Sequence, residues 1–275
     1  MQPLGLIAGE GVFPHLVASG AKAAGRPVIC AGLGRHADES LAEKVDVFQR
    51  VGVLRLGAWA SLLRRHGCEE AIMVGRVAKN QVHSRWRYFQ YVPDLAAIKL
   101  LAGTLRTDKR DFAILGAVAD TLAEKGITLI DTTTYSTEHL TTEGLLTTRG
   151  PSEAQLADIE FGWPLAKMLS TNDVGQALAV RELDVLAVEA VEGTNAMIAR
   201  AGELCRGSGW TLVKVANATL DPRFDVPCVG TDTIANLAAA RCSCLVLEAG
   251  RTMMLEKPAV IAAAEKAGIA IVGRT

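Results

Sequence analysis

The sequence predicts an α/β protein with parallel strands buried on both faces, and three observations carry that expectation. Of 275 residues 49% are hydrophobic but only 5% aromatic, so the core must be built from Ala, Val, Leu and Ile. Short apolar runs alternate with helix-patterned segments along the whole chain, as in strand–helix–strand units. The first run, 4–8, passes directly into Gly9-Glu10-Gly11, a helix and a second strand, which is how a Rossmann-like nucleotide-binding domain begins.

Taken in order, strands are expected at 4–8 and 28–31 around a helix at 13–24. Pro14 stands where a dinucleotide fingerprint has its third glycine, and no Gly-Lys-Ser/Thr follows. Gly9 and Gly11 therefore read equally as a tight turn or as a phosphate contact through backbone N–H groups. A strand at 51–56, a helix at 58–66 and a strand at 70–74 come next. Arg76, just beyond that strand, is a candidate anion contact or a solvated loop residue. Helices at 95–105 and 112–125, stopped by Gly126, and a strand at 127–130 complete an N-terminal α/β domain over 1–131.

Residues 132–150, rich in Thr and Ser, read as a connection. A C-terminal α/β domain over 151–275 opens with a helix at 153–171 capped by Ser152. Strands at 177–181 and 184–190 form a hairpin. A turn, Glu192-Gly193-Thr194-Asn195, leads into a helix at 196–205, with Thr194 or Asn195 as its cap. Ligands of α/β sheets bind at such carboxyl ends of strands. A strand at 211–215, a helix at 232–241 and a strand at 244–247 follow, with Cys242 in the connection. A short strand at 253–255, a helix at 257–266 and a strand at 270–272 close the chain.

The most chemical stretch is 214–234. Lys214 ends a strand, and Asp221, Arg223 and Asp225 alternate between Pro222 and Pro227, so an extended backbone would send all three side chains the same way. Two carboxylates flanking a guanidinium suit phosphate chemistry. They suit equally an ion-pair network that stiffens a loop.

Composition also excludes. Net charge is −1 with no basic block, which argues against nucleic-acid binding. Six cysteines without C-x-x-C spacing read as reduced thiols, and His66, His83 and His139 share no ligand spacing. Neither a signal peptide nor a membrane-spanning run is seen, so a cytoplasmic protein is expected, with peripheral contact at the inner membrane open.

Four segments, GLIAGEGVFP at the start, DVGQA at 173–177, VEAVEGTNAMIARA at 188–201 and RFDVPCVGTDTI at 223–234, occur in one order and at similar separations in a single family. The chain resembles the LpxI-type UDP-2,3-diacylglucosamine pyrophosphatases of lipid A synthesis over nearly its whole length. That resemblance implies two α/β domains around a ligand cleft. It also implies Mg²⁺-dependent hydrolysis of the pyrophosphate to UMP and 2,3-diacylglucosamine 1-phosphate, with water attacking the phosphorus on the sugar-lipid side.

On this expectation Asp225 holds the metal, and Arg223 and Asp221 complete the catalytic group. Gly9, Gly11, Arg76, Gln176, Glu192, Gly193, Thr194, Asn195, Lys214 and Thr233 contact substrate, with Glu189 a further candidate. The partner is a UDP-sugar lipid, and a homodimer is expected. The chain departs from the family pattern at Asn195, where an aspartate is usual, at Asn217 to Leu220, where a lysine and a glutamine are lost, and at Arg110 to Phe112, where one of two aspartates remains. A divergent, non-catalytic binder of a nucleotide sugar or lipid is the alternative those departures suggest. A nicotinamide oxidoreductase is disfavoured by Pro14 and by the lack of a suitable acidic residue after the second strand.

Overall fold

The computed structural model describes residues 1–77, 92–100, 111–205, 207, 209–217, 221–224 and 226–275. Asp225, Ala218 to Leu220, Arg110, His83 and residues 101–105 of an expected helix lie outside them. Two compact units are present: Met1–Thr137 with Asp221–Asp225, and Glu138–Leu220 with Val226–Thr275.

In the first unit, strand β1 (Leu4–Ala8) leads to helix α1 (Phe13–Ala23) and strand β2 (Val28–Leu33). Strand β3 (Val47–Val51), helix α2 (Leu56–Arg65), strand β4 (Glu70–Val74), helix α3 (Asp111–Ala123) and strand β5 (Thr128–Leu129) follow. The sheet order is β3-β2-β1-β4-β5 and every pairing is parallel. Alternation along β1 sorts the two faces: Leu4, Leu6 and Ala8 pack with Val17, Ala18 and Ala21 of α1. Ile7 packs with Trp59, Leu63 and Leu122 of α2 and α3. Burial on both faces is what the aliphatic composition demands.

The strand expected at 51–56 is displaced. β3 ends at Val51, and Leu56 already begins α2. Its residues Gln49 and Arg50 are exposed because β3 is an edge strand, which weakens the apolar signal there. Residues 95–100 are helical, as expected for that part of 95–105.

The second unit contains β6 (Gly144–Leu145), helix α4 (Glu153–Thr171), the hairpin β7 (Ala177–Arg181) and β8 (Asp184–Val188), helix α5 (Thr194–Leu204) and strand β9 (Trp210–Lys214). Strand β10 (Cys228–Val229), helix α6 (Thr231–Ala239), strand β11 (Cys242–Glu248), strand β12 (Met253–Met254), helix α7 (Lys257–Ala267) and strand β13 (Ala270–Arg274) complete it. The main sheet runs β6-β13-β11-β9-β7-β8, while β10 and β12 pair separately. β9, β11 and β13 are parallel, and β7 is antiparallel to both β9 and β8, so β8 points the same way as β9.

Met197, Ile198, Ile234, Leu237, Val260 and Ala264 of α5, α6 and α7 share one face of this sheet with Leu212, Leu245 and Ile271. Ile159 and Ala166 of α4 cover the other face. Ser152 caps α4 as expected, accepting from Gln155 N while Gln155 Oε1 accepts from Ser152 N. Cys242 lies inside β11 rather than in a connection, because the strand starts immediately after Arg241 turns through positive φ.

The Thr-rich stretch is divided between the units. Tyr135 belongs to the first, where its hydroxyl accepts from Arg26 Nη1 at 2.7 Å. Thr141 belongs to the second, where its N–H and hydroxyl both donate to Thr252 O.

Candidate functional site

Parallel strands end together, and in each unit that carboxyl edge gathers the sequence-predicted residues. In the first unit the turn after β1 and the turn after β4 lock together, with Glu10 N donating to Arg76 O at 2.8 Å and Arg76 N to Glu10 O at 3.0 Å. Gly9 is required by proximity, since a Cβ there would lie 2.6 Å from Arg76 O. Gly75 and Gly11 adopt φ of +92° and +106°. Gly9 and Arg76 are thus neighbours, brought together by the β1–β4 pairing. A Gly9→Ala variant is expected to lose about 1–3 kcal/mol in urea denaturation, through overpacking against backbone that has nowhere to move.

Asp221 and Arg223 also belong to the first unit, although they lie in the C-terminal half of the sequence. Pro222 O accepts from Thr132 Oγ1 at 3.0 Å, and Phe224 packs against the apolar cluster of α2 and α3. The backbone is a turn, with Phe224 N donating to Asp221 O, so the extended alternation expected here does not occur. Its cause is local: Asp221 Oδ1 accepts from Arg223 N at 3.0 Å and from Arg223 Nε at 2.9 Å, folding the segment on itself. The guanidinium stacks 5.1 Å from the Phe224 ring centroid. Hydrogen bonds from Arg223 hold the Asp221 carboxyl below its ordinary range. The stability this supplies is present above the ordinary carboxyl range and is lost as pH falls through the lowered value. Asp221 and Arg223 form an ion pair within this turn.

In the second unit the convergence is tighter. Lys214, the last residue of β9, is 5% exposed, and its Nζ donates to Thr194 Oγ1 at 3.0 Å. Thr194 Oγ1 in turn donates to Glu189 Oε1 at 2.6 Å. Glu189 Oε2 lies 3.9 Å from Lys214 Nζ and is buried without a hydrogen bond. β7 stands between β9 and β8, but opposite Lys214 it places only Ala177. Gly175 lets the end of β8 approach, since a Cβ there would lie 2.0 Å from Glu189 O. Gln176 joins the same edge through its carbonyl, which accepts from Val215 N.

α5 starts at this edge because it follows β8. α6 and α7 start there too, because each ends just before the first residue of a parallel strand, β11 or β13. Three helix N-termini and one buried ammonium thus sit on one side of the sheet, an arrangement that favours negative charge. Gly193, with φ of +81°, is the N-cap of α5, and no side chain caps the helix. The capping role expected of Thr194 or Asn195 is not seen, because the Thr194 hydroxyl is turned towards Glu189 and Lys214. Glu192 is paired outward with Arg200 Nη2 at 2.5 Å. Thr233 Oγ1 accepts from Gly230 N at 3.4 Å at the start of α6.

One buried carboxylate escaped the sequence reading, which ended the strand at 247, one residue short of Glu248. It is 5% exposed, accepts from Lys167 Nζ and Ala216 N at 2.8 Å each, and lies on the α4 side of the sheet. The available signal was period-two alternation along β11, which sends Glu248 and Val246 the same way. Thiol chemistry has no support. No disulfide joins the six cysteines, and burial pushes Cys30 and Cys244 up to about 12 and Cys68 up to about 11.

Comparison with known proteins decides the family. The model of the LpxI N-terminal domain matches residues 3–139, and that of the LpxI C-terminal domain matches residues 142–272. The chain belongs to the LpxI family. It is 33% identical over 281 residues to the UDP-2,3-diacylglucosamine pyrophosphatase LpxI of Caulobacter vibrioides, covering 99% of this chain and 98% of that protein. The Glu189–Thr194–Lys214 group falls in the C-terminal LpxI domain, and the Gly9–Arg76 bridge in the N-terminal one. No helix among the described residues is long and apolar enough to cross a membrane.

Proposed function

We propose that this LpxI-family chain hydrolyses the pyrophosphate of UDP-2,3-diacylglucosamine, giving UMP and 2,3-diacylglucosamine 1-phosphate in lipid A synthesis. Similarity to the Caulobacter pyrophosphatase over almost the full length of both chains supports the substrate. The buried Lys214 ammonium, set among the N-termini of α5, α6 and α7, is the observation that best supports phosphate chemistry in the chain itself.

A pyrophosphate carries its charge on non-bridging oxygens, and hydrolysis adds charge to the departing phosphate. Lys214 is placed to neutralise part of it, and the exposed N–H groups that open α5 donate without rearrangement. Glu189 holds the Thr194 hydroxyl and faces the Lys214 ammonium with its own negative charge. Its free Oε2 is left to accept a proton-bearing group of the substrate, such as a sugar hydroxyl.

Mg²⁺ is part of the proposal. Among the described residues no three His, Cys, Asp or Glu side chains converge on a cation site, and Asp221 is engaged by Arg223. Mg²⁺ takes one or two carboxylates together with phosphate oxygens and water. Asp225 is the residue proposed to hold it. When bound, Mg²⁺ would neutralise phosphate charge and supply an acidified water. Incubating the full chain with UDP-2,3-diacylglucosamine is expected to yield UMP by mass spectrometry with Mg²⁺ and none with excess chelator. Ligand binding without product would favour a non-catalytic binder.

A further inference from the structure

The buried Glu248 carboxylate has no part in the chemistry proposed above, yet it stands at the same carboxyl edge as Lys214, on the other face of the sheet. β9 and β11 pair in parallel as far as Lys214 and Leu247, and there the ladder between them stops. We propose that Glu248 is a positioning residue for the hydrolysis: it fixes the main chain just past Lys214 and so the direction in which the Lys214 ammonium points. The inference rests on the hydrolase reading of this edge.

The chain after Lys214 is held from both sides. On the β7 side Val215 N donates to Gln176 O at 2.9 Å. On the β11 side Ala216 N donates not to a strand carbonyl but to Glu248 Oε2, at 2.8 Å. Asn217 O then accepts from Arg251 Nη2 at 3.3 Å, and Arg251 Nη1 lies 3.6 Å from Glu248 Oε1. Val215, Ala216 and Asn217 are thus tied down one after another, on the stretch of chain that leads to Asp221 and Asp225.

A carboxylate is the group that can do this. Oε2 takes the main-chain N–H, while Oε1 takes Lys167 Nζ at 2.8 Å and faces Arg251. A glutamine of the same shape has one acceptor oxygen. Turned to Ala216 N, it would set its NH₂ against two cations, and turned about, against the N–H. Stability alone does not call for such a group. Val215 and Val246 are fully buried on this same face, and a buried ion pair is often no more stabilising than apolar residues of similar volume. A rigid mount for the residue that meets the phosphate is a use that apolar packing does not supply.

Steady-state hydrolysis of UDP-2,3-diacylglucosamine by the full chain, beside thermal melts, tests the proposal. Glu248→Gln is expected to lower kcat about tenfold with KM within about twofold, because the ammonium is then misplaced for the transition state. Arg251→Met, at an exposed site, should lower kcat by a smaller factor and leave the melting temperature in place. Lys167→Met removes a counter-charge but keeps the bond to Ala216 N, so it should lower the melting temperature and hold kcat within about twofold. An unchanged kcat in Glu248→Gln overturns the positioning role, and so does a kcat that falls in step with the melting temperature in Lys167→Met. Should Glu248→Gln not fold, an unchanged kcat in Arg251→Met overturns it instead. No product from the unmodified chain overturns the hydrolase reading and this role with it, whereas full turnover in the variants overturns this role alone.

Discussion

Lys214→Met is expected to cost about 3 kcal/mol of stability and to lower pyrophosphate hydrolysis about 10²-fold. The stability loss follows from burial. Lys214 and Glu189 have side chains only 6% and 12% exposed, and Thr194 connects them. Removing the ammonium leaves a carboxylate in a dry place with one hydrogen bond from Thr194 and no counter-charge. Glu189→Gln added to Lys214→Met should therefore recover much of the stability and none of the turnover. Urea denaturation of the two single variants and the double variant measures the coupling. Lys214→Met unfolding like the unmodified chain would show that the pair contributes nothing.

Asp225→Ala is expected to reduce turnover about 10²–10³-fold while leaving the melting temperature in place. Asp221→Asn should behave in the opposite way. Asp221 accepts from Arg223 N and the guanidinium, so its loss releases the turn that carries Pro222 and Phe224 against the first unit. Stability, and its decline with acid, should respond more than the rate. Steady-state kinetics beside thermal melts separates the two roles. Equal turnover losses in both variants would support a catalytic role for Asp221.

Those two aspartates show where sequence reading reaches and where it stops. Strands 70–74 and 177–181 and the helix Glu153–Thr171 were legible because punctuation and pattern agree there. Ser152 and Gln155 form a capping box, and glycine or a hairpin turn bounds each strand. β3 was misplaced because an edge strand carries Gln49 and Arg50 where a buried strand carries aliphatics. Gln176 and Thr194 stood out within the family's motifs, and Lys214 as the end of the strand that opens 214–234, each by itself. Their convergence depends on β7 standing between β9 and β8 with only Ala177 opposite Lys214, and on Gly175 admitting Glu189. Neither follows from spacing along the chain. The turn at Asp221 defeated the extended reading because an aspartate that accepts from the backbone two residues on folds the segment regardless of flanking prolines.

The direct test is hydrolysis of UDP-2,3-diacylglucosamine in H₂¹⁸O with Mg²⁺ present, followed by mass spectrometry of both products. One ¹⁸O in 2,3-diacylglucosamine 1-phosphate and none in UMP is the predicted result. Label in UMP would contradict attack on the sugar-lipid phosphorus, and no product from folded, ligand-binding protein would contradict the hydrolase assignment itself.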